Sequence, residues 1–131
     1  MSPTGSVFVV DDDASVRRAV QRLLQAVGYH VETFASAQAF LERGERGEHE
    51  RPACVLLDVR MPEMGGFDLF AALKAAGRSI PVIFVTGHGD IPMAVRAIKG
   101  GAADFLTKPC DEEVLLEAIA QALAKDTRDR G

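Results

Sequence analysis

Short apolar runs alternate along the chain with segments of helical period. The runs are Val7–Val10, His30–Phe34, Cys54–Asp58, Pro81–Thr86 and Asp104–Thr107. The first, third and fourth are almost wholly apolar, the pattern of strands covered on both faces. Between them, Val16, Val20, Leu23, Leu24 and Val27 form one helical stripe. Leu115, Ala118, Ile119, Ala122 and Leu123 form another. Ser36 stands where a short helix carrying Phe40 and Leu41 needs a cap. Asp111 does the same for the last helix, whose positive end suits Glu112 and Glu113. Five strands alternating with five helices predict an α/β fold, a five-stranded parallel sheet with helices on both faces.

That architecture says where chemistry should gather. In a doubly wound sheet with right-handed crossovers, sites lie at the carboxyl ends of the strands, near the reversal in strand order. Asp11 and Asp12 end the first predicted strand, Asp58 the third and Thr86 the fourth, and Lys108 follows the fifth. Residues far apart in sequence are thereby expected on one edge.

The stretch VFVVDDDAS sets three like charges side by side, which something must offset. Asp11, Asp12 and Asp58 together would form a hard oxygen site suited to Mg²⁺, whose charge lets neighbouring carboxylates stay ionised. Asp13 precedes Ala14 where a helix cap is needed and is read as that cap. Lys108 adds an ammonium and Thr86 a hydroxyl, groups that phosphoryl oxygens require. An aspartate can itself be a nucleophile, giving an acyl phosphate. The set reads as phosphoryl transfer to an aspartate. Singly, each residue has a plainer role: a cap, a turn, a Lys-Pro step.

Size and charge narrow the picture further. The 131 residues suit one compact domain, assigned to residues 1–124, and a 47% apolar content can fill its core. Fifteen basic against nineteen acidic residues, net charge −4, argue against this segment gripping nucleic acid. Cys54 and Cys110 are read as free thiols in a reducing compartment. No apolar run reaches the length of a membrane span, and MSPTGS lacks a signal peptide's regions, so a cytoplasmic protein with no membrane partner is expected. Gly44–Pro52 reads as an exposed loop. Lys125–Gly131 (residues 125–131) reads as a charged tail beginning a linker.

VVDDD, LLDVRMPEMGG, VTGHGD and DFLTKP occur in that order and resemble the four signature segments of the response-regulator receiver domain of two-component signalling. The resemblance runs from about Val7 to Lys125 and implies the flavodoxin-like, CheY-like doubly wound fold. It implies Asp58 as phosphoacceptor, Asp11 and Asp12 as the acidic pair holding Mg²⁺, and Asp58 and the Arg60 carbonyl as further ligands. It implies Lys108 as the lysine contacting the phosphoryl group, Thr86 as the switch hydroxyl and Phe105 as the switch aromatic. A cis Lys108–Pro109 bond is expected on the same ground. Arg60 and His88 match positions that tune acyl-phosphate lifetime. His88 shows no metal-ligand spacing with His30 or His49. Cys110 departs from the pattern, since phenylalanine is frequent there.

The resemblance also implies a mechanism. Phosphate on Asp58 would draw Thr86 toward it, and Phe105 would turn into the vacated space. The face of helix four, strand five and helix five would change. Gly87 would leave room near the phosphoryl group, and Gly100–Gly101 would loosen the end of helix four.

TGHGDIPMAVRAIKGGAADFLTKP is similar to both FixJ-type and NtrC-type receivers, and ERPACVLLDVRMPEMGG leans to the FixJ side. This implies a sensor histidine kinase as phosphodonor and homodimerisation on phosphorylation through helix four and strand five, with Met93, Val95 and Ile98 among the apolar candidates, some of which must face the core. The chain is then either a stand-alone receiver or, as the charged tail of residues 125–131 favours, a receiver separated from a C-terminal output domain, and DNA would be bound only through that absent domain. The protein would be a self-phosphorylating acceptor rather than a turnover enzyme. Two rivals remain at this point. VFVVDDDAS also resembles the opening motif of haloacid-dehalogenase-type phosphatases, with Asp11 as nucleophile, Asp13 as acid, and Thr86 and Lys108 completing the set, but LLDVRMPEMGG would then have no role. A phosphorylation-silent interaction module is the other.

Overall fold

The structure, a computed structural model, describes residues 5–43, 52–87 and 89–130. Five strands alternate with five helices in the chain order β1 (Ser6–Val10), α1 (Ala14–Val27), β2 (His30–Phe34), α2 (Ala37–Arg43), β3 (Ala53–Leu57), α3 (Gly66–Ala75), β4 (Val82–Thr86), α4 (Ile91–Lys99), β5 (Asp104–Thr107) and α5 (Glu112–Arg130). All neighbours in the sheet are parallel, in the order β2-β1-β3-β4-β5. The order reverses between β1 and β3, so the crevice of the fold opens at their carboxyl ends.

Strand alternation splits the core in two. Phe8, Val10, Val55, Leu57 and Phe84 point to one face, where Phe40 of α2, Leu69 and Leu73 of α3 and Ala97 of α4 cover them. Val7, Val9, Cys54, Leu56 and Ile83 point to the other, under Leu24 of α1 and Leu115, Ile119 and Leu123 of α5. β1 and β3 are buried along their whole length, which is why their sequences are apolar without alternation. Each large side chain buried here contributes roughly 1.5–3 kcal/mol through the area it removes from water. Cys54 and Cys110 are both unbonded, and burial pushes the Cys54 thiol up to about 12, with the Asp126 charge adding to it.

The expected caps are present. Ser15 and Val16 N–H donate to the Asp13 carboxylate at 2.9 and 3.3 Å, Ala39 N–H to Ser36 Oγ at 3.1 Å and Glu113 N–H to Asp111 at 2.9 Å. α1 stops at Gly28, whose φ of +118° lets its N–H reach back to Leu24 and Gln25. Gly101, at φ +99°, and Ala102 return N–H bonds to Ile98 and Ala97. The Gly100–Gly101 pair, read as loosening the helix, therefore terminates α4 in an ordered way.

One element differs from expectation. The stretch from Lys125, read as a linker-like tail, continues α5 as far as Arg130. Lys125 pairs with Asp129 one turn on at 3.1 Å, and Asp126 turns inward, where it accepts the Ala53 N–H at 2.9 Å. Almost all of Gly44–Pro52, read as a loop, lies outside the described residues, as does His88. No helix among the described residues is long and apolar enough to cross a membrane.

Candidate functional site

β1 and β3 lie side by side in register, Val10 opposite Leu57, so the residues that follow them emerge together. Asp58 N–H donates to Val10 O at 3.0 Å and Asp11 N–H to Phe34 O at 3.1 Å, which extends the ladders one step and fixes both aspartates. Asp11 and Asp58 are buried and Asp12 is exposed. One carboxylate oxygen from each lies within 4.8 Å of the others. Such a set of hard oxygen donors around a small space suits a cation of the Mg²⁺ type.

Lys108 enters from the end of β5. Its Nζ is 2.7 Å from Asp11 Oδ2 and 3.6 Å from Asp58 Oδ2. Its own N–H donates to Thr86 O at 2.9 Å, and the following bond, Lys108–Pro109, is cis as expected. The charges pull in opposite directions at this cluster. Burial pushes the Asp58 carboxyl above the usual aspartate range. Lys108 pulls it down, Asp11 pushes it up again, and the Arg60 N–H at 3.3 Å pulls it down. Burial alone would lower Lys108, but the hydrogen bond and charge of Asp11, followed by Asp58, leave its ammonium above its ordinary value.

Thr86, at the end of β4, is fully buried. Phe105 on β5 is half-buried, with its ring 6.2 Å from that of Phe84. It rests over Gly89, where a β-carbon would come within 2.8 Å of Phe105 Cε1. A β-carbon at Gly87 would meet nothing within 4 Å, so open space borders the site there. Asp13 is engaged at the α1 terminus, and its own N–H donates to Asp11 Oδ1 at 2.9 Å. It caps the helix and braces Asp11.

Two contributors were not foreseen from sequence. Arg17, one turn into α1, donates from NH1 to the Asp11 carbonyl at 2.7 Å and so holds the acidic turn from behind. Gly66 begins α3 beneath Asp58, and a β-carbon there would lie 2.3 Å from Asp58 O. The loop between them bends through Glu63 at φ +68°, a conformation that costs an L-residue roughly 1–2 kcal/mol, and returns so that Gly66 N–H reaches Val59 O at 2.8 Å. A doubled glycine after a strand-end aspartate is the signal that could have pointed to this close approach.

Residues 7–120 match the family model described as the response regulator receiver domain. The chain belongs to this family. Response regulator protein TodT of Pseudomonas putida (strain F1) is 52% identical over 124 residues, covering 94% of this chain and 53% of TodT. Transcriptional regulatory protein FixJ of Azorhizobium caulinodans is 43% identical, covering 91% of this chain and 55% of that protein. The crystal structure of FixJ-N superposes with a TM-score of 0.82 at 40% identity, over 95% of this chain and 96% of that one. The receiver is thus of the FixJ type and has the CheY-like fold. It spans about half the length of the curated relatives it matches. The receiver family gives LLDVRMPEMGG its place, and with Asp13 occupied as a cap the phosphatase reading is not favoured.

Proposed function

We propose that Asp58 is the phosphoacceptor of this receiver and that a sensor histidine kinase supplies the phosphoryl group. The observation that carries this is the meeting of three carboxylates and one ammonium at the β1–β3 crevice, with Lys108 Nζ 3.6 Å from Asp58. A carboxylate oxygen of Asp58 forms a bond to phosphorus while the bond from phosphorus to the donor's imidazole nitrogen breaks. The electron pair of that bond stays on the imidazole, which takes up a proton. The raised carboxyl of Asp58 belongs to the metal-free site.

Asp11, Asp12 and Asp58, with the Arg60 carbonyl, would hold Mg²⁺. Bound there, Mg²⁺ supplies neutralising charge to the phosphoryl oxygens. Lys108 moves from its contact with Asp11 to the new oxygens on Asp58. Thr86 turns its hydroxyl to them, and Phe105 leaves its seat over Gly89 for the space that Thr86 vacates. Arg60 and His88, at the positions the family uses for this, would tune how long the acyl phosphate lasts. The altered face of α4, β5 and α5 drives homodimerisation. Transcriptional output through DNA would belong to a region outside these residues, as the transcriptional-regulator name of FixJ suggests for longer relatives. The setting is cytoplasmic.

Intact mass after incubation with acetyl phosphate and Mg²⁺ tests the reading. One added phosphoryl group is expected, absent without Mg²⁺ and absent in Asp58→Asn. An adduct that persists in Asp58→Asn would return attention to Asp11. No adduct, together with no beryllofluoride binding, would identify a phosphorylation-silent module.

A further inference from the structure

At the opposite edge of the sheet from the carboxylates, a cavity of about 150 Å³ opens among the ends of α3, α4 and α5 and the start of β4. Lys74, Arg78 and Lys125 line it, along with Ser79, Gly100 and Gly101, and no acidic side chain does. Lys125 shares its charge with Asp129 at 3.1 Å. Lys74 and Arg78 have no carboxylate partner among the described residues. Lys74 donates instead to the Gly100 carbonyl and lies over the Phe70 ring at 5.1 Å, and Arg78 lies over Phe40 at 5.4 Å.

The plain account is that these cations offset the negative ends of α3 and α4. Two helix ends carry about one negative charge together, screened at the surface. Three full cations, one already paired, exceed that. The surplus borders a half-closed space that the Ser79 hydroxyl also lines, and ammonium, guanidinium and hydroxyl are groups that donate to a small anion, whereas the Gly100 and Gly101 N–H groups are already bonded to Arg96 O and Ile98 O. We propose that this cavity binds a compact dianion, a phosphate-like oxyanion or a short dicarboxylate. The occupant competes with the Gly100 carbonyl for Lys74 and so releases the tie between α3 and the end of α4. The site is independent of the role given to Asp58.

Amide NMR on the whole 131-residue chain tests it. Inorganic phosphate and malonate are titrated separately, in EDTA, without a phosphodonor and at constant ionic strength. Saturable shifts at Ser79, Gly100 and Gly101 are expected. Lys74→Gln and Arg78→Gln should each weaken the response about tenfold, the loss of one charge-assisted contact. Lys99→Gln, outside the cavity, should leave it unchanged. Saturation by either probe supports the site, and comparing the two identifies the oxyanion or the dicarboxylate as its ligand. Shifts that stay linear and scatter over surface lysines, shifts centred on Asp11 and Lys108, or saturation unaltered in both cavity variants would each overturn the proposal. Should Lys74→Gln not fold, Arg78→Gln and the wild-type shift map decide the matter.

Discussion

A β-carbon on Gly66 would lie 2.3 Å from the carbonyl oxygen of Asp58 and 3.0 Å from Val59 Cα, both main-chain atoms that cannot step aside. Gly66→Ala should therefore push α3 away from β3, costing roughly 1–3 kcal/mol by overpacking. It should also lower the rate of acyl-phosphate formation, because the displaced carbonyl belongs to Asp58, the proposed phosphoacceptor. Urea unfolding and the mass assay check the two effects; an alanine variant as stable and as reactive as wild type would mean the loop yields freely. Asp58 itself supplies a pH test. Burial raises its carboxyl in the folded, metal-free protein, so the native state holds that proton to higher pH than the unfolded chain does. The unfolded chain releases it first, near the ordinary value of about 3.9, and stability then falls as pH rises to the native value. Asp58→Asn lacks this loss. In EDTA its melting temperature should equal or trail wild type at the acid end and overtake it as pH rises to neutrality, with Mg²⁺ narrowing the gap. Melting curves that keep a constant offset across that range would show that burial of the charge is not limiting.

At the scale of elements, the last helix makes the strongest claim. Asp126 is buried and accepts the Ala53 N–H that opens β3, so the final turns of α5 dock on the sheet. Asp126→Ala leaves a buried donor unsatisfied and should cost about 1–3 kcal/mol. Asp129→Ala removes only an exposed pair with Lys125 and should cost at most about 0.5 kcal/mol. Equal urea midpoints for the two variants would show that these turns contribute no docking. This helix also shows what sequence does not carry. KDTRDRG is charged throughout, and composition cannot tell a solvated tail from a helix that turns one aspartate inward to meet a strand's first N–H. The strands were legible because burial on both faces leaves an unbroken apolar run. The caps at Asp13, Ser36 and Asp111 were legible because capping is local chemistry. The converging acids were legible once a parallel sheet was inferred, since strand ends are then shared in space. Arg17 was not, because its reach to the Asp11 carbonyl depends on how α1 lies against β1. The clash that reserves Gly66 depends likewise on the path of α3 under β3.

Across the whole molecule, the exposed large apolar side chains of the described residues gather on α4 and the start of α5. Ile91, Val95 and Ile98 are 79%, 45% and 51% exposed and sit four and three residues apart, so they form one outward stripe on α4. Met93, grouped with Val95 and Ile98 on sequence, packs instead against the core, while Ile91 joins the stripe. Val114 at the start of α5 is 49% exposed. Beneath the stripe, Arg96 lies over Phe67 at 4.2 Å, Phe67 stacks on Phe84 at 4.8 Å, and Phe84 neighbours Phe105 at 6.2 Å. A turn of Phe105 therefore reaches the packing that seats α4 through two rings. Beryllofluoride with Mg²⁺ should convert the chain from monomer to dimer in light scattering. Val95→Glu combined with Ile98→Glu should abolish the dimer, because two desolvated carboxylates per subunit would face their own copies across a two-fold. Acyl-phosphate formation should survive in that variant, since neither residue touches the carboxylates. Dimerisation that persists in the double variant would move the interface off α4. Loss of both dimer and phosphorylation would mean that the substitutions had disturbed the domain rather than its surface, and circular dichroism of the variant separates that case.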